Sequence, residues 1–183
     1  MNSTFSTRLF ELNDARPLTD LLHAAYAELG AMGLNFTAVD QSVETTVMRA
    51  QAGQCWIVED KERLVGTLTM SFPPLPYLRE LTSEAEVPHR AWLNQVAVSP
   101  AARGQGIAAH LWAEARKWAL VRGATSVGVD TALPASHLVE LYSAWGFTHT
   151  ESIRHPGKVY DSAVMVLQLG SMDAESRFSV GHT

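Results

Sequence analysis

Residues 96–108 read Val96, Ala97, Val98, Ser99, Pro100, Ala101, Ala102, Arg103, Gly104, Gln105, Gly106, Ile107 and Ala108. The segment ends a strand signal that begins at Ala91, and from Ile107 the apolar positions Leu111, Ala115 and Trp118 follow a helical period. Glycines between strand and helix let the backbone approach a ligand closely, and the helix start offers unpaired N–H groups and a partial positive charge. Arg103 adds a full charge at the mouth of this loop. Main-chain donors supported by one guanidinium suit a phosphate or pyrophosphate, and side-chain identity inside the loop then matters little.

After this helix come Arg116, Lys117 and Arg122, with Gly123 as a stop, and then a strand at 127–129. A strand, helix, strand unit needs a crossover, which makes its two strands parallel neighbours. Upstream, 9–12 reads as a strand. Asn13 or Asp14 caps a helix that carries Pro17 in its first turn and runs to about Leu29, with Gly30 as its stop. A second helix covers 40–50, and strands 55–59 and 64–72 form an antiparallel hairpin about the polar turn Asp60, Lys61, Glu62. Pro73, Pro74 and Pro76, followed by Glu80, Glu84 and Glu86, exclude regular strand and predict a long loop beside a binding site. Downstream, a helix at 135–145 precedes strands 147–153 and 160–169. Between those strands His155, Pro156, Gly157 and Lys158 are spaced for a type II turn. The element order predicts an α/β (α+β) fold with a mixed, mostly antiparallel sheet of about seven strands and flanking helices. We expect one domain over 1–183, with a folded core at 7–169 and a polar, aperiodic tail at 171–183.

A chain of 183 residues with 46% hydrophobic content can bury a real core. Its net charge of -5 and pI near 5.8 give no general attraction to nucleic acid or to an anionic membrane surface. The N-terminal residues lack the apolar run of a signal peptide, and no stretch approaches ~20 consecutive apolar residues, so a cytoplasmic protein is expected. Cys55 is the only cysteine and cannot form an intrachain disulfide; burial is its expected state. The seven histidines show neither His-Glu-x-x-His spacing nor a cysteine partner, so no metal is expected.

Arg103, Gly106 and Ala108 fill a signature of Gln or Arg, two residues, Gly, one residue, then Gly or Ala. Leu141, Tyr142, Ser143, Ala144, Trp145, Gly146 and Phe147 look like a later Leu-Tyr to Gly-Phe segment. With both motifs, and with the element order over 7–169, the chain resembles the GNAT superfamily of N-acetyltransferases. The resemblance implies a sheet splayed between two central parallel strands, with acetyl-CoA as the acyl-donor cosubstrate. It implies that the main chain of Val96, Ala97 and Val98 lies along the pantetheine arm and that Arg103, Gly104, Gln105, Gly106, Ile107 and Ala108 take the pyrophosphate. It also implies that Tyr142 reaches the thioester sulfur and protonates the departing thiolate, as suits a phenol near pKa 10. Taken alone, Tyr142 reads as an aromatic packed on a helix.

An amine acceptor must lose a proton before it attacks a thioester. The strand before the loop, where the family often carries polar groups for this task, offers Trp92, Asn94 and Gln95 but no carboxylate. Asn94 could orient a water. His89 is the best ionisable candidate, with a solvated loop histidine as the alternative. Asp130 is placed either to orient substrate or to cap a turn. The family's Asn near the next helix start is missing, and Ser136 is the substitute. Glu80, Glu84 and Glu86 could attract a cationic amine, with Tyr77 and Leu78 adding apolar contact, against the alternative of a solvated acidic loop. The expected acceptor is a primary amine of a small molecule or peptide, and a homodimer through the closing strands is open. Gly104, Gly106 and Ala109 also fit a dinucleotide fingerprint with Asp130 downstream, which leaves a nicotinamide-dependent oxidoreductase as one rival. A non-catalytic acyl-CoA-binding regulatory domain is the other.

Overall fold

The computed structural model describes residues 5–170. The expected tail at 171–183 lies outside the described residues.

Seven strands, β1 (Ser6–Leu9), β2 (Gln54–Asp60), β3 (Arg63–Ser71), β4 (Arg90–Val98), β5 (Ser126–Ala132), β6 (Thr148–Ile153) and β7 (Ser162–Gln168), form one sheet in the order β1-β2-β3-β4-β5-β7-β6. Every neighbouring pair is antiparallel except β4 and β5. The crossover between these two is α3 (Ile107–Val121), as a parallel pair requires. The other helices are α1 (Ala15–Ala31), α2 (Val43–Gln51) and α4 (Ser136–Ala144).

Side-chain alternation along the strands builds a core on each face of the sheet. Trp56, Val58, Leu68, Met70 and Leu93 pack with Ile107, Leu111 and Ala115 of α3, while Cys55, Ile57 and Ala97 pack with Leu18, Leu21 and Leu22 of α1. Cys55 is 3% exposed, and desolvation pushes its thiol pKa up, so it has no nucleophilic character at neutral pH.

The parallel pairing of β4 with β5 runs from Arg90↔Ser126 to Leu93↔Val129 and stops there. On the other side of β4 the register with β3 shifts, so that Gln95 faces Thr69 and Leu93 faces Met70, leaving Asn94 as the extra residue of a bulge. A bulge bends its strand and ends pairing locally, and here it coincides with the point where β4 leaves β5. The two strands part beyond it, and the opening between them positions everything that follows.

Of the boundaries that differ from the sequence reading, three have a visible physical cause. The first strand ends at Leu9, and 12–14 is a 3₁₀ turn, because Asp14 accepts from the Arg8 guanidinium at 2.6 and 2.7 Å and from the Glu11 N–H at 2.8 Å, which folds the chain back. Leu9 and Leu12 suggested a strand but are exposed. Gly30 lies inside α1, where a Cβ would meet a Val39 methyl at 2.8 Å; it is there for close packing and is not the helix stop. The second helix begins at Val43, where the Ser42 hydroxyl accepts from Thr45 N–H.

Candidate active site

The loop at 103–106 turns on two glycines with positive φ, Gly104 at 77° and Gly106 at 79°. Gly106 is the N-cap of α3, and no side chain caps that end. The first-turn N–H groups of a helix have no intrahelical partner, so here they remain open to a ligand. A cleft of about 600 Å³ lies against them, lined by Val96, Val98, Arg103, Gly104, Ile107 and Ala108 on one side and by α4 with Leu141, Tyr142 and Trp145 on the other. Ala97 also lines it, whereas Gln105 faces a separate small hollow with Phe5 and Val58.

The main chain of β4 is arranged to receive an extended ligand. Ser99 N–H donates to Val65 O, so by strand alternation the polar groups of Ala97 turn towards β3 and those of Val96 and Val98 towards the opening. The Val96 carbonyl there already accepts from the Tyr26 hydroxyl of α1 at 2.9 Å, a contact that sequence reading missed. Arg103 spans the cleft mouth, donating to Glu28 at 2.8 Å and to the Ala25 carbonyl at 3.1 Å, both on α1. This pair is largely exposed, and a guanidinium so placed can exchange a carboxylate for a phosphate at small cost. Open glycine backbone, helix-start donors, an exposed guanidinium and an uncovered strand edge together fit a pyrophosphate with a pantetheine-like arm. Ser136 lines neither this cleft nor the next cavity; His137 and Leu138 of α4 do.

Beyond the bulge a second cavity of about 130 Å³ opens between the parted strands. It shares Tyr26, Val96, Leu138 and Tyr142 with the cleft, so the two spaces meet at these side chains. Tyr142 is 6% exposed and is held edge-on by Trp145 and Phe147 at ring distances of 5.7 and 6.0 Å. Desolvation first, then the nearby Tyr26 and Asp130, drive its pKa well above that of an ordinary phenol. It therefore keeps its proton at neutral pH, as a proton donor must.

Asp130 and His155 line the second cavity. His155 Nε2 lies 2.7 Å from Asp130 Oδ2, while Asp130 Oδ1 accepts from the Trp92 indole at 3.1 Å. A carboxylate only accepts, so the ring donates through Nε2, and in the neutral imidazole that tautomer puts the lone pair on Nδ1, as a general base requires. The Trp92 ring in turn lies over Gly128, where a Cβ would stand 2.3 Å from it; only glycine lets the ring sit there and fix Asp130. His155 opens the turn foreseen at 155–158, closed by Lys158 N–H to His155 O at 3.1 Å with Gly157 at φ 76°.

Asn94 lines the second cavity, with its amide nitrogen donating to Ser71 Oγ and Trp92 O. His89 does not reach either space: it precedes β4 at the Arg90 end, at φ 56°, where its carbonyl accepts from Thr125 N–H. From the Pro-rich loop only Tyr77 lines the cavity. Leu78 is buried with Ala85 and Trp92, Glu84 pairs with the buried Arg90, and Glu80 and Glu86 line neither space. Sequence reading therefore missed His155, assigned only to a turn, and also Arg49 and Lys158 at the cavity wall. A histidine beside a Pro-Gly turn was the one available signal.

Comparison with known proteins agrees with this geometry. A model of the acetyltransferase (GNAT) family matches residues 18–147, well over half of the chain. No curated protein matches the sequence. Among solved structures, the ribosomal-protein-S18-alanine N-acetyltransferase from Escherichia coli superposes with a TM-score of 0.68 at 16% identity, covering 92% of this chain and 96% of that one. An N-acetyltransferase from Staphylococcus aureus Mu50 gives 0.67 at 18% identity, over 92% and 100%. The NatC complex bound to Gag peptide and CoA gives 0.65 at 14% identity, over 91% and 99%. At these identities the likeness shows the fold, in which a mostly antiparallel seven-stranded sheet leaves no place for the doubly wound parallel sheet of a dinucleotide-binding oxidoreductase. Motif, sheet and family match converge, and the chain belongs to the GNAT acetyltransferase family.

Proposed function

We propose that the protein transfers an acetyl group from acetyl-CoA to a primary amine of a small molecule or peptide, by direct attack of the amine on the thioester. The observation that carries this reading is the meeting of two cavities at Tyr142, one fitted to a pyrophosphate and pantetheine arm, the other polar and closed by an Asp130–His155 pair.

Acetyl-CoA supplies an activated acyl carbon. The helix start at 106–109 and Arg103 hold its pyrophosphate, and the open edge at Val96 and Val98 holds the arm so that the sulfur lies by Tyr142. His155 takes a proton from the incoming ammonium at Nδ1, while Asp130 holds the ring in the required tautomer. As the nitrogen bonds to the acyl carbon and the carbon–sulfur bond breaks, the Tyr142 hydroxyl gives its proton to the departing thiolate, the second proton lost by the nitrogen passes through water to restore the phenol, and His155 returns its own to solvent. Asn94 lies beside this path and can order a water through its amide oxygen. His155 replaces His89 as base because it lines the acceptor cavity and His89 does not. A purely regulatory acyl-CoA-binding role leaves the second, polar cavity without a purpose.

The test is incubation of the protein with acetyl-CoA and a panel of primary amines, following thiol release and identifying products by mass spectrometry. The reading requires at least one N-acetylated amine formed in step with CoA. Thiol release no faster with any amine than without one would contradict it.

A further inference from the structure

Two cations line the acceptor cavity without a carboxylate in direct ion-pair contact among the described residues. Arg49 of α2 donates to Gln41 Oε1 at 2.6 Å and to Asn94 O at 3.5 Å, and Lys158 donates to Asn35 O at 2.6 Å and to Thr37 Oγ1 at 3.1 Å. All four acceptors are neutral. Arg8, Arg16, Arg90, Arg103 and Arg154 each hold a carboxylate, whereas among the described residues no carboxylate pairs with Arg49 or Lys158. The two are close enough to repel: desolvation first, then Arg49, hold the Lys158 ammonium below the usual lysine value, with Asp40 opposing.

A second observation points into the same space. Gln95 lines the cavity and is 3% exposed, yet neither its amide oxygen nor its amide nitrogen has a partner. Buried amides are nearly always satisfied, by protein or by water, and one left open in a cavity wall is available to a polar ligand. Among the described residues Asp130 is the only carboxylate lining the cavity, so its charge is outweighed by Arg49 and Lys158. An acceptor bringing only positive charge would meet net repulsion there. One that brings a carboxylate for the guanidinium fork, together with an amine, matches both ends.

We infer that the acceptor is a small primary amine bearing a carboxylate, an amino acid or close derivative, with its carboxylate at Arg49 and Lys158 and its amine towards Asp130 and His155. This rests on the acyltransferase reading and narrows it, since an amine or peptide N-terminus without a nearby carboxylate would leave both cations unpaired.

The experiment is calorimetry on the CoA-saturated protein with N-acetyl derivatives of the common amino acids, each as free acid and as carboxamide, so that no turnover is needed. For the best ligand the acid should bind at least roughly tenfold more tightly than its amide, as expected of a charge-assisted contact. Arg49→Gln should shrink that preference to about threefold or less with CoA affinity unchanged, and Arg49→Lys should restore part of it. Lys158→Met, on a surface turn, gives the same comparison if α2 tolerates no change at Arg49. If the acid is never preferred, whether both forms bind or neither does, the inference is overturned. A separate titration of the ligand-free protein with CoA distinguishes the two failures: CoA binding keeps the acyltransferase reading standing, and its absence fails that reading instead.

Discussion

Tyr142 lies where the two cavities meet, with aromatic rings on two sides and little exposure to solvent. Burial stabilises its neutral form, and the neutral phenol is the form a proton donor needs. Tyr142→Phe keeps the packing and removes the proton; kcat should fall by roughly one to three orders of magnitude while acetyl-CoA affinity stays within about threefold. An unchanged kcat removes Tyr142 from the chemistry. The sign of its pKa shift adds a pH statement. Because the folded-state value is raised, loss of activity through this phenol begins only above the ordinary phenol value of about 10, and a kcat/KM profile losing activity to it below pH 9 would contradict the assignment. Tyr142 could be singled out in the sequence because its role is attached to a local motif. Asp130 was legible only as a carboxylate that orients substrate or caps a turn, and His155 only as part of a turn, since the two come together only when β5 and the turn after β6 are folded side by side, and nothing local distinguishes this histidine from any other.

The loop we propose for the pyrophosphate is one unit of strand end, two left-handed glycines and helix start. Its sequence is nearly a description of its shape, which is why it was legible: positive φ at 104 and 106 and a periodic helix from 107 are all local properties. Gly106→Ala keeps open space around the new methyl but must hold φ near 79°, a strain of about 1–2 kcal/mol. The variant should unfold roughly 2–8 °C lower and bind acetyl-CoA more weakly, both measurable in one thermal series; an unchanged Tm would show that the left-handed turn is dispensable. The bulge at Asn94 was not legible, because a bulge depends on register with β3, and no single strand carries its own register. The 3₁₀ turn after β1 was missed for a related reason: Arg8, Asp14 and Glu59 form its ion network across two elements. Arg8 lowers the Asp14 pKa, so this stabilisation is present above the unfolded value of about 3.9 and is lost as pH falls through the lower folded value. Asp14→Asn should be less stable at neutral pH and lose less stability than the parent on acidification below about pH 4, as read from denaturant midpoints; parallel curves would show that the pair contributes nothing.

At the scale of the whole molecule, one sheet supplies both halves of the site by parting two strands that are paired only as far as Leu93 and Val129. The donor side rests on α3 and β4, close in sequence, and the sequence announced it. The acceptor side gathers Arg49, Asp130, His155 and Lys158 from α2, β5 and the β6–β7 turn, and only the folded sheet reveals it. The central claim is that the cleft from Val96 to α4 takes acetyl-CoA, and thermal unfolding with acetyl-CoA, CoA and NAD tests it most directly. At a hundred times its dissociation constant, a ligand bound only to the folded state adds about 2.7 kcal/mol, which for a chain of this length raises Tm by roughly 5–10 °C. We predict such a rise with acetyl-CoA and CoA and none with NAD, reduced in Arg103→Ala. No shift with either CoA species at millimolar concentration, or a shift with NAD alone, would contradict the account.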